Sequence, residues 1–470
     1  MKPQNYFFNV LILGLFVTSL GLASTGVYSL LKTNSFANVK ACDEEPYTEA
    51  IVLWNETFGG YYTESAQSII KCPEGYAVAG WTNSSGKGDL DILLLRIAPD
   101  GSYLWNKTFG DVGEDKGFQV INCQAGGFAL ASTYLNVTAP SDNQDFLVTR
   151  IAGDGTVLWN YSYSGPEQTP SYWIGDLGRS IVECPNGDLV CAGVTLTAIG
   201  NCDVWLFRLS SNGIGLWDRT FHNWDIDRCY TPHSLVQCSD NGFALACYTY
   251  NSTQSNMVWL IKTNAAGIHQ WNKTYGDLIG YQRPEGLVEC SDQGFAIIAN
   301  TQSFGAGNSD AWIIRTDRFG VQLWNKTYGD TEEDGGGQII EMADYGFTFV
   351  GGTHSYDIEQ GDIWLVRTDV DGNVLWNHTM GDEYGNSGGS LDYEGNSTYI
   401  IAGGTNYVGE PFGDIWILKV YINEVIPSGT PTSSSPFVGF IISFEILFIV
   451  AIVQKAKTKK HKIKKQVKSR

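Results

Sequence analysis

The residues whose types and spacing could hold a metal ion lie near the middle of the chain. His222, Asp225, Asp227 and His233 share one segment, which also contains Cys229. Imidazole, carboxylate and thiolate groups are the usual ligands of zinc. Their spacing matches no zinc signature, so the sequence predicts no metal site and offers His222, Asp225, Asp227 and His233 only as candidates.

Two acidic segments contain the oxygen ligands that Ca²⁺ prefers. Neither has the spacing of a complete calcium loop. We therefore predict no cofactor, with Ca²⁺ as the one ion that these segments would suit. The carboxylates concerned are Asp111, Glu114, Asp115, Asp330, Glu332, Glu333 and Asp334.

Motifs of the common enzyme families are scarce in this chain. It has neither the His-Glu-x-x-His of zinc proteases nor a phosphate-binding loop. We therefore predict a binding protein rather than an enzyme. An extracellular hydrolase or lyase, and a structural protein of an envelope layer, are the alternatives.

Aromatic residues between the predicted strands are the candidates for ligand contacts, because loops on a rigid scaffold usually carry binding residues. Their rings can pack on sugars and on apolar groups. The predicted ligand-binding residues are Tyr62, Trp81, Tyr172, Trp173, Trp224, Tyr281, Tyr356 and Tyr407.

Asn-x-Ser/Thr sequons are frequent, and an exported chain can be glycosylated at them. Six sequons recur at one position of a repeat, and four lie in predicted loops. The asparagines are Asn55, Asn106, Asn160, Asn272, Asn325 and Asn377 in the repeat, and Asn83, Asn136, Asn251 and Asn396 in the loops.

A repeat of about fifty residues positions all of these side chains. The segment Leu53–Gly59 recurs as Leu104–Gly110, and its tryptophan recurs seven times. A second motif, an Asp followed by mostly apolar residues and ending in Arg or Lys, recurs in phase. Its copies begin at Asp91, Asp145, Asp203, Asn256, Asp310, Asp362 and Asp414.

Each repeat holds four short strands, which is the content of a propeller blade. Gly is abundant (54 residues) and the charged fraction is low (17%), as in all-β domains with tight turns. The repeats begin with a last strand (Val52–Phe58) and end with a third strand (Asp414–Val420). We predict an all-β, seven-bladed β-propeller with four-stranded blades, closed by pairing of these two terminal strands.

The ten cysteines divide by position in the repeat. Five of them share one repeat position, and we expect them to be buried and unpaired. Cys202 and Cys229 flank one hairpin and are predicted to form a disulfide. The five repeated residues are Cys72, Cys123, Cys184, Cys238 and Cys290.

Residues 51–420 resemble the propeller repeats of bacterial and archaeal surface proteins, of the delta-60-like and pyrroloquinoline-quinone-like kinds. The stretch Phe304–Trp312, continuing to Trp324–Gly329, carries the resemblance most clearly. The resemblance implies a propeller at the cell surface and implies little about its ligand.

The two ends of the chain predict export and anchoring. Residues 1–24 read as a signal peptide or signal-anchor, 25–50 as an extension, 51–420 as the propeller, and 421–436 as a linker rich in Pro, Ser and Thr. Residues 437–453 read as a C-terminal transmembrane helix, and 454–470 form a basic tail. The positive-inside rule places that tail in the cytosol and the propeller outside the cell membrane.

The chain has a net charge of −20 although its tail is basic, so the part predicted to lie outside the cell is acidic. Nucleic-acid binding needs Lys and Arg against phosphates, so no nucleic-acid partner is expected. The predicted partners are the membrane, through the C-terminal helix, and an extracellular protein or glycan bound at the face of the long loops.

Overall fold

The computed structural model describes residues 48–137, 143–165, 175–198, 201–224, 226–250, 256–277, 280–355, 361–381, 385–406 and 413–424. The predicted signal segment, membrane span and basic tail lie outside these residues. A helix that could cross a membrane is not found in the described part of the chain.

All regular structure in the described residues is β-strand. In chain order the strands are β1 (Thr48–Phe58), β2 (Glu64–Cys72), β3 (Gly75–Thr82), β4 (Asp91–Ile97), β5 (Tyr103–Phe109), β6 (Lys116–Asn122), β7 (Phe128–Asn136), β8 (Asn143–Ile151), β9 (Val157–Tyr163), β10 (Leu177–Glu183), β11 (Leu189–Ala198), β12 (Asn201–Leu209), β13 (Gly215–Phe221), β14 (Ile226–Arg228), β15 (Leu235–Gln237), β16 (Phe243–Tyr250), β17 (Met257–Thr263), β18 (His269–Tyr275), β19 (Gln282–Glu289), β20 (Phe295–Thr301), β21 (Asp310–Thr316), β22 (Gln322–Tyr328), β23 (Asp334–Glu341), β24 (Phe347–Thr353), β25 (Asp362–Thr368), β26 (Val374–Met380), β27 (Asn386–Gly395), β28 (Thr398–Asn406) and β29 (Gly413–Glu424).

Four sheets each consist of four consecutive antiparallel strands: β2 to β5, β6 to β9, β19 to β22 and β23 to β26. A fifth sheet has the order β1-β29-β28-β27, so the first described strand pairs with the last. This is the closure that the sequence predicts. The strands extend slightly past the predicted propeller limits, since β1 begins at Thr48 and β29 ends at Glu424.

The sixth sheet has nine strands and departs from the repeat. It contains β10 to β13 and β15 to β18, and β14 joins the two sets. β14 lies parallel to β12, with Ile226 opposite Cys202, and antiparallel to β16. The segment that holds the candidate metal ligands His222, Asp227 and His233 therefore contains a short strand.

The first strands of the sheets contact one another in a cycle: β2, β6, β10, β15, β19, β23, β27 and again β2. This arrangement of four-stranded antiparallel sheets is consistent with a β-propeller. The last strand of each set is outermost, and most of its side chains are exposed or partly buried. The third strands β21 and β25 are buried along their whole length, because sheets cover both of their faces.

Hydrogen bonds between neighbouring first strands support this cycle. The Gln119 Oε1 atom accepts the backbone N–H of Ile181 at 2.8 Å and the Ser180 hydroxyl at 2.8 Å. The Gln338 Oε1 atom accepts the Leu391 N–H at 2.9 Å. Each side chain thereby satisfies a backbone donor that belongs to the next sheet.

Tryptophans of the outermost strands pack between sheets, as their regular spacing suggests. A methyl group on Gly267 or Gly320 would lie 2.6 Å from the ring of Trp217 or Trp271. Both glycines have positive φ (71° and 73°) in the hairpin between a third and a fourth strand. A side chain at these positions would meet both backbone strain and the indole ring.

The Arg or Lys that ends the second sequence motif bonds to the turn between the first and second strands of its own set. Arg150 donates to the Gly126 carbonyl at 2.6 Å, and Lys262 pairs with Asp240 at 2.8 Å. The side chain of Lys262 is almost completely buried, which its ion pair makes tolerable. The motif is therefore explained by folding.

The connections of the sheets fall on two faces. The turns from first to second and from third to fourth strand are short, and they share one face, here named the short-connection face. The first strands begin, the second strands end and the third strands begin at the other face, here named the long-connection face because the longer connections of the sequence join these strand ends.

We expect Gln119→Leu to lower the free energy of unfolding by about 1–3 kcal/mol, because it leaves the buried Ile181 N–H without an acceptor. Chemical denaturation of the full chain measures this. Gln322→Leu makes the same change on the exposed outer strand β22 and should shift stability by less than about 0.5 kcal/mol. Equal effects of the two substitutions would contradict the role assigned to Gln119.

Candidate functional site

A cavity of about 440 Å³ opens where the first strands begin, on the long-connection face. Its walls come from the starts of β2, β19, β23 and β27 and from the ends of β20 and β28. In four of these first strands the register shifts by a β-bulge near the strand start. The bulges bring Gln67, Glu285, Gly337 and Gly389 to the cavity wall.

An ion pair stands on one wall of this cavity. An Arg283 guanidinium nitrogen lies 2.6 Å from Glu285 Oε1, and Asn300 Nδ2 donates to the same oxygen at 3.0 Å. The Asn300 Oδ1 atom accepts the Gly336 N–H at 2.8 Å, which fixes the amide orientation. Burial raises the pKa of Glu285 to about 7, although Arg283 and Asn300 act in the opposite direction.

Glycines form the opposite wall, and they are glycine for two different reasons. At Gly403 a methyl group would lie 1.9 Å from the Ser387 carbonyl oxygen, so strand packing excludes a side chain. At Gly389 and Gly404 the nearest atoms would be 3.8 Å away. A side chain at either of these two positions has room, and it would project into the cavity instead of clashing with the fold.

The segment from Tyr230 to His233, between β14 and β15, lines one side of the cavity. His233 has φ 67° and lies 3.3 Å from Gln119 Nε2 and 3.3 Å from Ser390 Oγ, on two other sheets. Its carbonyl accepts the Leu287 N–H at 3.0 Å. Burial lowers the pKa of this imidazole to about 4, so it is neutral at physiological pH.

A disulfide ties this segment to its own sheet, and its partner differs from the prediction. Cys229 is bonded to Cys247 of β16, with 4.4 Å between their Cα atoms, and Cys202 is free and buried. The predicted Cys202–Cys229 pair is wrong, because β14 pairs antiparallel with β16 and carries Cys229 to Cys247. The five cysteines of the repeated position are buried and free, as expected.

The candidate metal ligands are only partly brought together. Asp203, His222 and Asp227 place one ligand atom each within 4.8 Å of one another. His222 Nδ1 lies 2.8 Å from Asp203 Oδ1 and 3.4 Å from Asp227 Oδ2. His233 does not belong to this group, since its ring contacts Gln119 and Ser390 instead. Asp225 lies outside the described residues.

Asp227 occupies a structural position that recurs where the connection between two sets of strands ends. Its carboxylate accepts the Asn223 N–H at 2.7 Å and closes the connection that enters β14. Burial raises its pKa. The same bond, to the N–H of a residue earlier in the connection, is made by Glu64, Asp115, Asp176 and Asp334. Asp115 and Asp334, predicted as Ca²⁺ candidates, thus have a loop-closing role.

The predicted ligand-binding aromatics that the structure describes do not gather at one site. Of the eight, Tyr281 lines the cavity, where it is 37% exposed. Tyr62 is exposed elsewhere, and Trp224 lies in the connection before β14. Trp81 lies within β3 rather than in a loop, with Lys116 Nζ 6.0 Å from its ring centre. Tyr172, Trp173, Tyr356 and Tyr407 lie outside the described residues.

The repeated sequons lie on the outermost strands. Several of their asparagines hold the tryptophan of the neighbouring third strand: the Trp312 Nε1–H donates to Asn325 Oδ1 at 3.0 Å, and Trp259 donates to Asn272 at 3.2 Å. These bonds use the amide oxygen of each asparagine, and the Asn272 Nδ2 atom lies 2.9 Å from His269 Nε2. Of the loop sequons, Asn83 and Asn396 are described, Asn136 ends β7, and Asn251 is not described; their glycosylation stays a prediction.

Sequence reasoning missed most of the cavity, including Tyr230, Arg283, Glu285 and Asn300. One available signal was the run of glycines at the starts of β23 and β27, where other first strands carry larger residues. Residues 385–389 also match the Gly-x-Ser-x-Gly order of hydrolase nucleophiles. Here Ser387 lines the cavity from a bulged strand, without the strand-turn-helix that such a nucleophile requires.

No family model and no curated protein matches the chain. Solved structures similar to it include a protein of unknown function from Dyadobacter fermentans DSM 18053, 11% identical over 80% of this chain and 99% of that one (TM-score 0.47). Puromycin hydrolase is 11% identical over 79% of this chain and 55% of that one (0.49). The β-propeller domain of the Trilobed protease from Pyrococcus furiosus is 8% identical over 81% and 100% (0.44).

Reduction of the disulfide is expected to lower stability by about 2–4 kcal/mol, because the cross-link limits the unfolded chain. Thermal unfolding of the full chain with and without reductant measures this. Cys247→Ala should abolish the response to reductant, whereas Cys202→Ala should keep it. Loss of the response in Cys202→Ala, with a normal response in Cys247→Ala, would instead support a Cys202–Cys229 disulfide.

Proposed function

We propose that this chain is a seven-bladed β-propeller, anchored in the cell membrane by its C-terminal segment, that binds an extracellular ligand in the cavity of its long-connection face. Seven first strands in cyclic contact support the blade number. The apolar run at 437–453, followed by a basic tail, supports the anchor and its orientation.

The cavity is the observation that carries the binding proposal. Its volume of about 440 Å³ falls in the range of small-ligand sites. Polar groups with fixed orientation, the Arg283–Glu285 pair and Asn300, share the cavity lining with two aromatic residues, Tyr230 and Tyr281. His233, whose φ is 67°, bonds to Gln119 and Ser390 and so holds this part of the lining against two other sheets.

The direction of the last strand supports an outward-facing cavity. β29 runs from the long-connection face and ends at Glu424 on the short-connection face. The described part of the chain therefore ends on the face opposite the cavity.

A hydrolase or lyase is the second candidate, and Glu285 is the observation that favours it. A carboxyl group with a pKa near 7 in a cavity suits a general acid or base. Glycoside hydrolysis usually uses two carboxyl groups. Among the described residues that line the cavity, Glu285 is the sole carboxylate, and we therefore rank binding first.

Gly389→Leu tests the cavity, because leucine has room at its Cβ and fills the ligand space. We expect detergent-solubilised full-length protein with this change to lose binding to an immobilised array of oligosaccharides and peptides by about tenfold or more, with unchanged thermal unfolding. Gly215→Leu, on the exposed strand β13 where a side chain meets nothing within 4 Å, is the control. Full binding by Gly389→Leu would reject the cavity as the site.

Charges in the apolar run test the anchor. Phe444→Arg with Leu447→Arg should release the full chain from membranes, since each arginine at mid-span costs about 2.5–3.5 kcal/mol. Carbonate extraction of expressing cells measures this. Arginines at Ser433 and Ser435, in the linker, should leave the chain in the membrane fraction. Retention of the Phe444/Leu447 variant would argue against a spanning segment.

A further inference from the structure

We infer that the ligand of this cavity is a neutral sugar residue, whose adjacent hydroxyl groups bridge Arg283 and Glu285. This inference rests on the proposed function and names the chemical class of its ligand. The charge of the cavity, its hydrogen-bonding groups and its shape each favour a neutral sugar.

The charge of the cavity favours an uncharged ligand. Its one described cation, Arg283, is already paired with its one described anion, Glu285, at 2.6 Å. His233 is neutral, because burial lowers its pKa to about 4. A charged ligand would have to compete with this partly buried pair, at the cost of leaving one member without its partner. A neutral ligand leaves the pair intact.

The hydrogen-bonding groups match a hydroxyl pair. Arg283 and Asn300 both bond to Oε1 of Glu285, so no described residue donates to Oε2. Arg283 likewise keeps guanidinium N–H groups, and its side chain is 41% exposed. A hydroxyl both donates and accepts, so one hydroxyl can donate to Glu285 while its neighbour accepts from Arg283. Bonds to charged partners are the stronger kind.

The shape supports the same class. Tyr281 offers an exposed ring on which the C–H face of a sugar can pack, and Tyr230 lies on the same lining. The glycine wall at Gly389 and Gly404 presents backbone amide groups without side chains, so a flat polar ring can approach closely. Ser65, Gln67 and Ser387 add neutral polar groups.

The affinity should depend on pH through Glu285, whose pKa is about 7 in the free protein. A hydroxyl that donates to the carboxylate favours its ionised form, so binding is strongest above about pH 7. Below that value the affinity falls with pH, by a factor that approaches about ten for each pH unit. The other groups facing Glu285 do not titrate in this window: Arg283 stays charged, Asn300 is neutral, and His233 is neutral above about pH 4.

Calorimetric titration of the detergent-solubilised full chain tests the inference with five probes: a neutral hexose, a neutral disaccharide, a hexuronic acid, an α-amino acid and a blocked dipeptide. We expect the neutral sugars to bind, and binding of the best one to weaken between about pH 8 and pH 5. Glu285→Gln should weaken it at least tenfold at pH 8 and remove the pH dependence. Glu332→Gln, an exposed carboxylate outside the cavity, is the matched control.

The outcomes separate this inference from the proposed function. Binding of the uronic acid, the amino acid or the dipeptide in preference to neutral sugars overturns the ligand class while the cavity stands, provided Gly389→Leu abolishes it. Sugar binding that Glu285→Gln leaves unchanged in affinity and pH profile also overturns the inference. Absence of binding by all five probes overturns it, and array binding unaffected by Gly389→Leu would overturn the cavity itself. Thermal unfolding of each variant establishes that it is folded.

Discussion

The pairing of β1 with β29 is the interaction on which the rest of this structure depends. Without it, two long strand edges would expose unpaired backbone groups, and the chain of contacts between first strands would stay open. Further bonds join the sheet closed in this way to the sheet of β2 to β5: the Ile69 N–H donates to Ser390 Oγ at 3.0 Å, and Lys419 Nζ donates to the Tyr76 hydroxyl at 2.9 Å. Closure places β2 beside β27, and both strands contribute walls of the cavity.

Departures from the repeat create the site. Identical first strands would line a channel of uniform composition. Instead, the bulge that recurs near the strand start carries unlike residues in several sheets, such as Gln67 in β2, Glu285 in β19 and Gly389 in β27. The fourth repeat adds the segment closed by Cys229–Cys247, which carries His233 across the channel. The scaffold is repetitive, and its polar cavity is not.

The charged residues that recur most regularly serve the fold. Buried carboxylates such as Asp115 close connections by accepting backbone N–H groups, and buried cations such as Lys262 fasten turns. Such groups have the residue types of a metal or catalytic site, and one of them, Asp227, stands beside His222. Since the same bond recurs in several repeats, the position alone explains the aspartate. The irregular Glu285 has no such counterpart among the other first strands.

The sequence by itself determined the strand content, the closing of the first strand on the last and the positive-φ hairpin glycines. These follow from local periodicity, from turn stereochemistry and from a count of repeats, all of which a linear chain displays. Only the tertiary structure decided that Cys229 bonds Cys247, that His233 reaches Ser390, and that Glu285 faces a cavity. Each of these contacts depends on which strands pair and on where a bulge or a split strand falls, so no spacing in the sequence encodes them.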